Sequence, residues 1–375
     1  MQKPVYLLST FVVVFLCVGV SASAQGNAVS EGKRLFESET FGGNGRTCKT
    51  CHSKTTGTLS PQDIQQLFKT HPNDPLFLAD GSDDGNGHGT TRIQADATIL
   101  VKVPLVSNVK LAANLSATHM AVRRGIPTTL NTPALDPILM LDGRQPNLQA
   151  QALGAIQDHL HPSFLPTVVE LNHIRDFELT NEFFSSPEVR KFAEGGAAPG
   201  LPQGNTASEK RGRRFFEDEV DFVDPKHGLC AGCHAGPMLN ETNLFGQLAF
   251  GVPQGTRFQN ILTAELNVAG NPLQEFIFNK GTLNERHVFS PDIGRSAITG
   301  VTDLNDFTFS NFNAYKIPQL RGIRDTGPYF HDNAAKTLED VMVHYANFFA
   351  IVTGNTLILT PQDQADMVAF MRLLH

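Results

Sequence analysis

Two short stretches, Cys48-Lys49-Thr50-Cys51-His52 and Cys230-Ala231-Gly232-Cys233-His234, set the terms on which this chain folds. Each is a CxxCH pentapeptide, the attachment signature of a c-type haem. The chemistry requires the spacing: two thiols three positions apart reach the two vinyl groups of one porphyrin, and the imidazole that follows is placed to ligate the iron. A CxxC pair alone also serves redox dithiols and half of a zinc site, but a histidine directly after the second cysteine, twice, argues against both. At 375 residues the chain is long enough for two or three cores, so two haems point to two haem domains.

The remaining cysteine is Cys17, inside a stretch that reads as a secretory leader over residues 1–24. Lys3 supplies its positive end, Tyr6 to Val20 its apolar run, and Ala22-Ser23-Ala24 a small-residue cleavage site. The run is short for a membrane span, and bulky Leu16 before Cys17 argues against a lipoprotein. The other four of the five cysteines are all used by the haem motifs, which leaves none for disulfides. Covalent haem attachment takes place outside the cytoplasm, so the expected location is the periplasm, with no membrane span after leader cleavage. Loss of Lys3 turns 30 basic against 37 acidic residues into 29 against 37, a net charge of −8 before haem propionates are counted. No Lys/Arg run invites nucleic acid, and an acidic surface suits a basic redox partner.

The two motifs sit in similar surroundings. Glu31-Gly32-Lys33-Arg34-Leu35-Phe36 leads through Gly42-Gly43-Asn44-Gly45 to the first motif, and Arg211-Gly212-Arg213-Arg214-Phe215-Phe216 leads through a polar loop to the second. The Gly-to-Cys spacings are 16 and 18 residues, a weak repeat of about 180 residues. The Gly- and Pro-rich stretch from Glu194 to Gly204 is the linker candidate. The expected fold is therefore mainly α, two cytochrome c-like haem domains with long loops: an N-terminal domain over 25–194, a linker over 195–205 and a C-terminal domain over 206–375. Helical patterning runs from Val168 to Phe192. The clearest helix is the last, with Thr360 as cap, Pro361 in its first turn, and Met367, Phe370, Met371 and Leu374 on one stripe. That stripe places both methionines in the core. Residues 72–92, with Asp74, Asp80, Asp83, Asp84 and four glycines, do not follow the EF-hand spacing and read as a solvated loop.

With the proximal histidines assigned, function turns on each iron's sixth position, since two strong protein ligands favour electron transfer and an open position admits peroxide. Here the chain resembles a known family. Asp292-Ile293-Gly294-Arg295, Lys316-Ile317-Pro318-Gln319-Leu320-Arg321-Gly322, Thr326-Gly327-Pro328-Tyr329-Phe330-His331-Asp332 and Thr337-Leu338-Glu339-Asp340-Val341 form an ordered set similar to the bacterial dihaem cytochrome c peroxidases, a family that includes the protein-modifying enzyme MauG. The resemblance also takes in both haem motifs and Leu141-Asp142-Gly143-Arg144 through Gln151; residues 53–124 match least well.

The resemblance implies a peroxide-reactive haem on His52 and an electron-donating haem on His234. The family's sixth ligand to the second haem falls on Tyr345, where the peroxidase branch has Met and the MauG branch Tyr; Met342 and His344 are neighbouring alternatives. In the first haem's distal pocket the family's Gln falls on Gln151 and its catalytic Glu on His161, with Arg144 nearby and His159 as a competing candidate. A histidine there serves acid–base chemistry or, by ligating iron, closes the site. The family's bridging Trp falls on Leu141 in a chain without Trp, so electrons must tunnel directly or use another aromatic. Calcium is implied at the carbonyls of Thr326 and Pro328, although the family's Asn ligand falls on Gly125. The reaction implied is reduction of hydrogen peroxide with electrons from a small cytochrome c or cupredoxin, and a second copy of the chain in a homodimer is a further expected partner. The alternatives are MauG-like oxidation of a partner protein and a dihaem electron carrier that is no enzyme.

Overall fold

The computed structural model describes residues 22–219, 221, 223–302 and 310–375. The expected leader lies outside these residues as far as residue 21. No helix of the described residues is long and apolar enough to cross a membrane.

Two helix crossings frame the two haem motifs. In the first, the Ala22–Ser38 helix packs on the Val168–Glu178 helix. A methyl group in place of the Gly32 hydrogen would lie 1.9 Å from the His173 carbonyl oxygen and 2.9 Å from the Phe177 Cβ. In the second, the Ala207–Arg214 helix packs on the Pro361–Met371 helix, where the same test at Gly212 gives 1.9 Å to the Asp366 carbonyl oxygen and 2.9 Å to the Phe370 Cβ. Only the missing side chain lets the two backbones approach so closely. Each crossing carries its own apolar core: Leu35, Phe36, Ile156, Leu160, Ile174 and Phe177 around the first, Phe216, Leu239, Met342, Met367, Phe370 and Leu374 around the second. The final helix starts as its sequence indicates, with Thr360 and Asp363 capping each other reciprocally. The expected helical run from Val168 breaks after Glu178 and resumes over Pro187–Ala193.

Helix outweighs strand, and a β layer joins the two halves beside the helices. The strands are β1 (Thr98–Pro104), β2 (Val109–Leu111), β3 (His119–Gly125), β4 (Phe258–Gln259), β5 (Gln274–Phe278), β6 (Arg286–Ser290) and β7 (Tyr315–Lys316). Antiparallel β1 and β3 form one ribbon, and β2, β5 and β6 form a three-stranded sheet in which Val109 pairs with Phe278. Alternate residues Ile99, Val101 and Val103 on β1 and Met120 and Val122 on β3 are buried, the period-two pattern of a half-covered strand. They pack with Phe276, Phe278 and Ile293 into a third core. Strand β2, from before the linker, thus pairs with β5, from after it. The linker itself is held by Arg321, which donates to the carbonyls of Pro199 (2.5 Å), Gly200 (3.0 Å) and Pro237 (3.2 Å).

Candidate haem sites

Both CxxCH motifs open onto one cavity of about 850 Å³, lined by Cys48, Cys51, His52, Cys230, Cys233 and His234. Each motif folds as a single turn whose histidine is oriented by the loop that follows. His52 Nδ1 donates to the Gly57 carbonyl at 2.8 Å, and His234 Nδ1 donates to the Leu239 carbonyl at 2.9 Å. With Nδ1 committed, Nε2 is the atom each ring presents to a metal. Burial pushes both imidazoles below their usual range, which keeps them neutral and able to ligate. Burial also pushes the thiols up, to about 12 for Cys48, about 11 for Cys51 and about 12 for Cys233. A redox dithiol needs a depressed thiol instead. Four free cysteines, two pre-oriented imidazoles and a cavity shared between them fit two covalently attached haems.

At the second site, Tyr345 lines the cavity from the Leu338–Val352 helix. Its phenol is pushed far above its ordinary value by burial, and Cys233 and Cys230 are close enough to add to the shift. Met342 lines the same cavity, as do Met367 and Met371; Met367 Sδ lies 3.7 Å from Cys230 Sγ. His344 does not, because its Nε2 is engaged with the Ile261 carbonyl at 2.8 Å.

At the first site, Gln151 lines the cavity, and from the following segment the imidazole that reaches it is His159. His161 is exposed and turned outward. The physical reason is the π-helical segment Ile156–Leu160, which ends with His161 in a left-handed conformation at φ 50°. A wider turn and a reversed backbone shift the inward position relative to an α-helical count. Arg144 does not line the cavity either. Its guanidinium is buried against Asp142 at 2.7 Å, in a network where Arg124 bridges Asp142 (2.6 Å) and Asp292 (2.7 and 3.0 Å).

Three functional candidates escaped the sequence. Asp80, from the 72–92 loop, is buried and accepts a hydrogen bond from His159 Nδ1 at 2.5 Å. Glu178, 5% exposed, lines the cavity with Oε2 lacking a hydrogen-bond partner, and burial pushes its carboxyl up to about 8. Tyr315 lines the cavity close to Leu141, with its ring stacked on His331 at 3.9 Å and its hydroxyl donating to the Asp292 carbonyl at 2.9 Å. An acidic, glycine-rich loop gives no hint that Asp80 is buried. For Asp80 the sequence carries no distinguishing signal, since Asp74, Asp83 and Asp84 stand in the same loop.

Thr326 and Pro328 also line the cavity. At Gly125, where the family's Asn would stand, the Asn333 amide fills the space: Oδ1 lies 2.1 Å from where a Cβ would sit, and Nδ2 donates to the carbonyls of Asp96 and Ala97.

The two sites obey one register. A bridge between Leu139 and Gln145 closes the loop before the Leu148–Ala155 helix, and a bridge between Tyr329 and Ala335 closes the loop before the Leu338–Val352 helix. Met140 and Phe330 share a left-handed backbone, φ 67° and 70°. Counted from the caps Asn147 and Thr337, the fourth residues are Gln151 and Val341 and the eighth are Ala155 and Tyr345. All four line the cavity.

No family model matches the chain. Over 170 residues it is 27% identical to hydrazine synthase subunit gamma of Kuenenia stuttgartiensis, covering 45% of this chain and 41% of that protein. Over 181 residues it is 26% identical to cytochrome-c peroxidase IdrP1 of Denitromonas iodatirespirans, covering 45% of this chain and 40% of that one. The chain therefore spans less than half the length of these curated relatives in the matched stretch. In fold it is similar to a MauG-like protein associated with microbial copper homeostasis, with a TM-score of 0.52 and 19% identity over 96% of this chain and 91% of that structure. With two CxxCH motifs on one cavity, sequence similarity to a cytochrome-c peroxidase and a fold similar to a MauG-like protein, the chain resembles the dihaem cytochrome c peroxidase/MauG family of oxidoreductases.

Proposed function

We propose that this chain reduces hydrogen peroxide to water at the Cys48–His52 site, with electrons entering through the Cys230–His234 site from a small cytochrome c or cupredoxin in the periplasm. The observation that carries this reading is the asymmetry within the repeat: where the second site presents Tyr345, the first presents Ala155, a side chain with nothing to coordinate. Val341 likewise gives way to Gln151. The second site is thus furnished to hold a six-coordinate iron, and the first to leave space for a small polar molecule. Bound haem supplies the electron transfer that cleaves the O–O bond. Gln151 offers an amide to orient peroxide, and His159 offers an imidazole to move its proton. Hydrogen peroxide, two protons and two electrons give two waters. The duplicated crossings support two haem-binding units, one on each side of the 195–205 linker, welded by the β layer.

The decisive experiment is optical and EPR spectroscopy of the diferric and mixed-valence protein before and after stoichiometric peroxide. One haem with an open or water-bound iron that reacts with peroxide, beside one six-coordinate haem, is the expected result. Two unreactive low-spin haems in every oxidation state would leave only an electron carrier. Tyr345 favours a second reading, MauG-like oxidation of a partner protein, because an anionic oxygen ligand stabilises high oxidation states of iron. Rapid turnover with reduced cytochrome c separates the peroxidase from that reading.

A further inference from the structure

The imidazole at the first site is gripped from several directions. Its Nδ1 meets Asp80 Oδ2 at 2.5 Å, and the other oxygen of Asp80 is ion-paired with Arg46 Nη1. Arg46 is 1% exposed, and its remaining donors are spent on the carbonyls of Pro75 (2.8 Å), Leu76 (2.9 Å) and Leu78. The backbone of the same segment is held by the glycine-rich loop before the first haem motif. Asn44 Nδ2 donates to the His159 carbonyl at 2.9 Å and the Asn44 N–H to the Leu160 carbonyl at 2.9 Å, while a Cβ at Gly43 would meet the Leu160 oxygen at 2.1 Å. Burial alone would raise the Asp80 carboxyl, but the hydrogen bond from His159 and the Arg46 guanidinium beside it more than offset that and hold the group below its usual range. Asp80 is therefore a carboxylate, and a carboxylate only accepts hydrogen bonds.

We propose that Asp80 is a positioning residue that fixes the tautomer of His159, with the proton on Nδ1 and the lone pair of Nε2 turned toward the first haem cavity, and that Arg46 locks Asp80 in that role. The assignment rests on the peroxidase reading above. Nε2 accepts the proton of one peroxide oxygen and returns it to the other as the O–O bond breaks. That oxygen leaves as water, and the oxygen left behind takes two protons and two electrons, which bound haem would pass on from the donor protein, and leaves as the second water. Asp80 stays ionised throughout and stabilises the imidazolium that forms in between. A surface histidine such as His161, free to populate both tautomers, would have the right lone pair only part of the time.

Asp80→Asn tests this in the holoprotein. Arg46 claims the amide oxygen, so the amide N–H₂ faces Nδ1 and drives the proton to Nε2. In the reduced, carbon monoxide-bound protein, which is diamagnetic, ¹⁵N NMR of His159 should report Nδ1–H in the wild type and Nε2–H in the variant. The carbon monoxide stretch should fall in the variant, because the ligand then accepts a hydrogen bond. The rate of reaction with peroxide should drop about 10²–10⁴-fold, the usual worth of a positioned acid–base group, with the second haem's spectrum unchanged. A wild-type His159 protonated on Nε2 or bound to iron overturns the proposal even if no variant folds, as does a variant with an unchanged tautomer or rate. A wild type with the expected tautomer and no peroxide reaction sinks the peroxidase reading instead and leaves the tautomer assignment standing.

Discussion

Gly32 and Gly212, roughly 180 residues apart, occupy the same place in two helix crossings, each under a carbonyl oxygen that would lie 1.9 Å from an added methyl group. The obstacle is backbone in both cases, so neither crossing has a flexible side chain to move aside. Gly32→Ala and Gly212→Ala should each cost roughly 3 kcal/mol or more by urea unfolding, at the upper end of overpacking penalties. The damage should be local: Gly32→Ala perturbs the absorption of the first haem and Gly212→Ala that of the second.

Tyr345 stands over the second site with its ring stacked on Phe349 at 6.1 Å between centroids. Tyr345→Phe keeps that packing and removes only the oxygen. Its expected outcome is a changed second-haem EPR spectrum and a higher reduction potential, since the anionic ligand that favours ferric iron is gone. An unchanged spectrum and potential would return the ligand role to Met342.

His159 and His161 separate cleanly. His159→Ala should slow the reaction with peroxide by about 10²–10⁴-fold. His161→Ala, on the surface, should alter stability by no more than about 0.5 kcal/mol and the peroxide rate within error. Stopped-flow measurement on the two variants gives the comparison, and equal losses would restore His161 to the site.

Glu178 makes stability depend on pH in a defined direction. Its carboxyl ionises near its ordinary 4.5 in the unfolded chain and at about 8 when folded, so between those values the folded state holds the extra proton. Its contribution is full below pH 4.5 and declines as pH rises through 8, by about 5 kcal/mol at most. Glu178→Gln should flatten that decline, making the variant the more stable protein at pH 8 and above in chemical denaturation. A pH profile parallel to wild type would refute a neutral Glu178.

Arg124 neutralises two buried carboxylates, Asp142 and Asp292, contributed from opposite sides of the linker. Arg124→Met leaves both without their shared cation and should cost about 3–5 kcal/mol. Adding Asp142→Asn should recover part of the loss, a coupling that a double-mutant cycle measures.

The sequence was most legible where covalent chemistry dictates spacing. The CxxCH motifs, the glycines ahead of them and the capped final helix all stand where their residues put them. Tyr345 and Gln151 were reached through the family resemblance, which carries over there because the helices from Thr337 and Asn147 are regular. It failed at His161, because the π segment Ile156–Leu160 contains the histidine that reaches the cavity, His159, and leaves His161 in a left-handed turn beyond it. Asp80 was hidden for a different reason. The acidic loop around it does behave as a solvated turn, with Asp84 taking the backbone N–H groups of Asn86 and His88, and composition cannot say which one of four aspartates points inward. The β layer was overlooked although Ile99, Val101 and Val103 alternate, because two haem motifs bias any reading toward helices.

The pairing of β2 with β5 makes the two halves a single unit of inheritance. A duplicated haem-binding unit would ordinarily be interchangeable, each copy free to be lost, fused or traded. Here a half severed at the linker would bare Val109 on one fragment and Phe276 and Phe278 on the other, with an unpaired strand edge on each. The asymmetry between Ala155 and Tyr345 lies within that one joined unit.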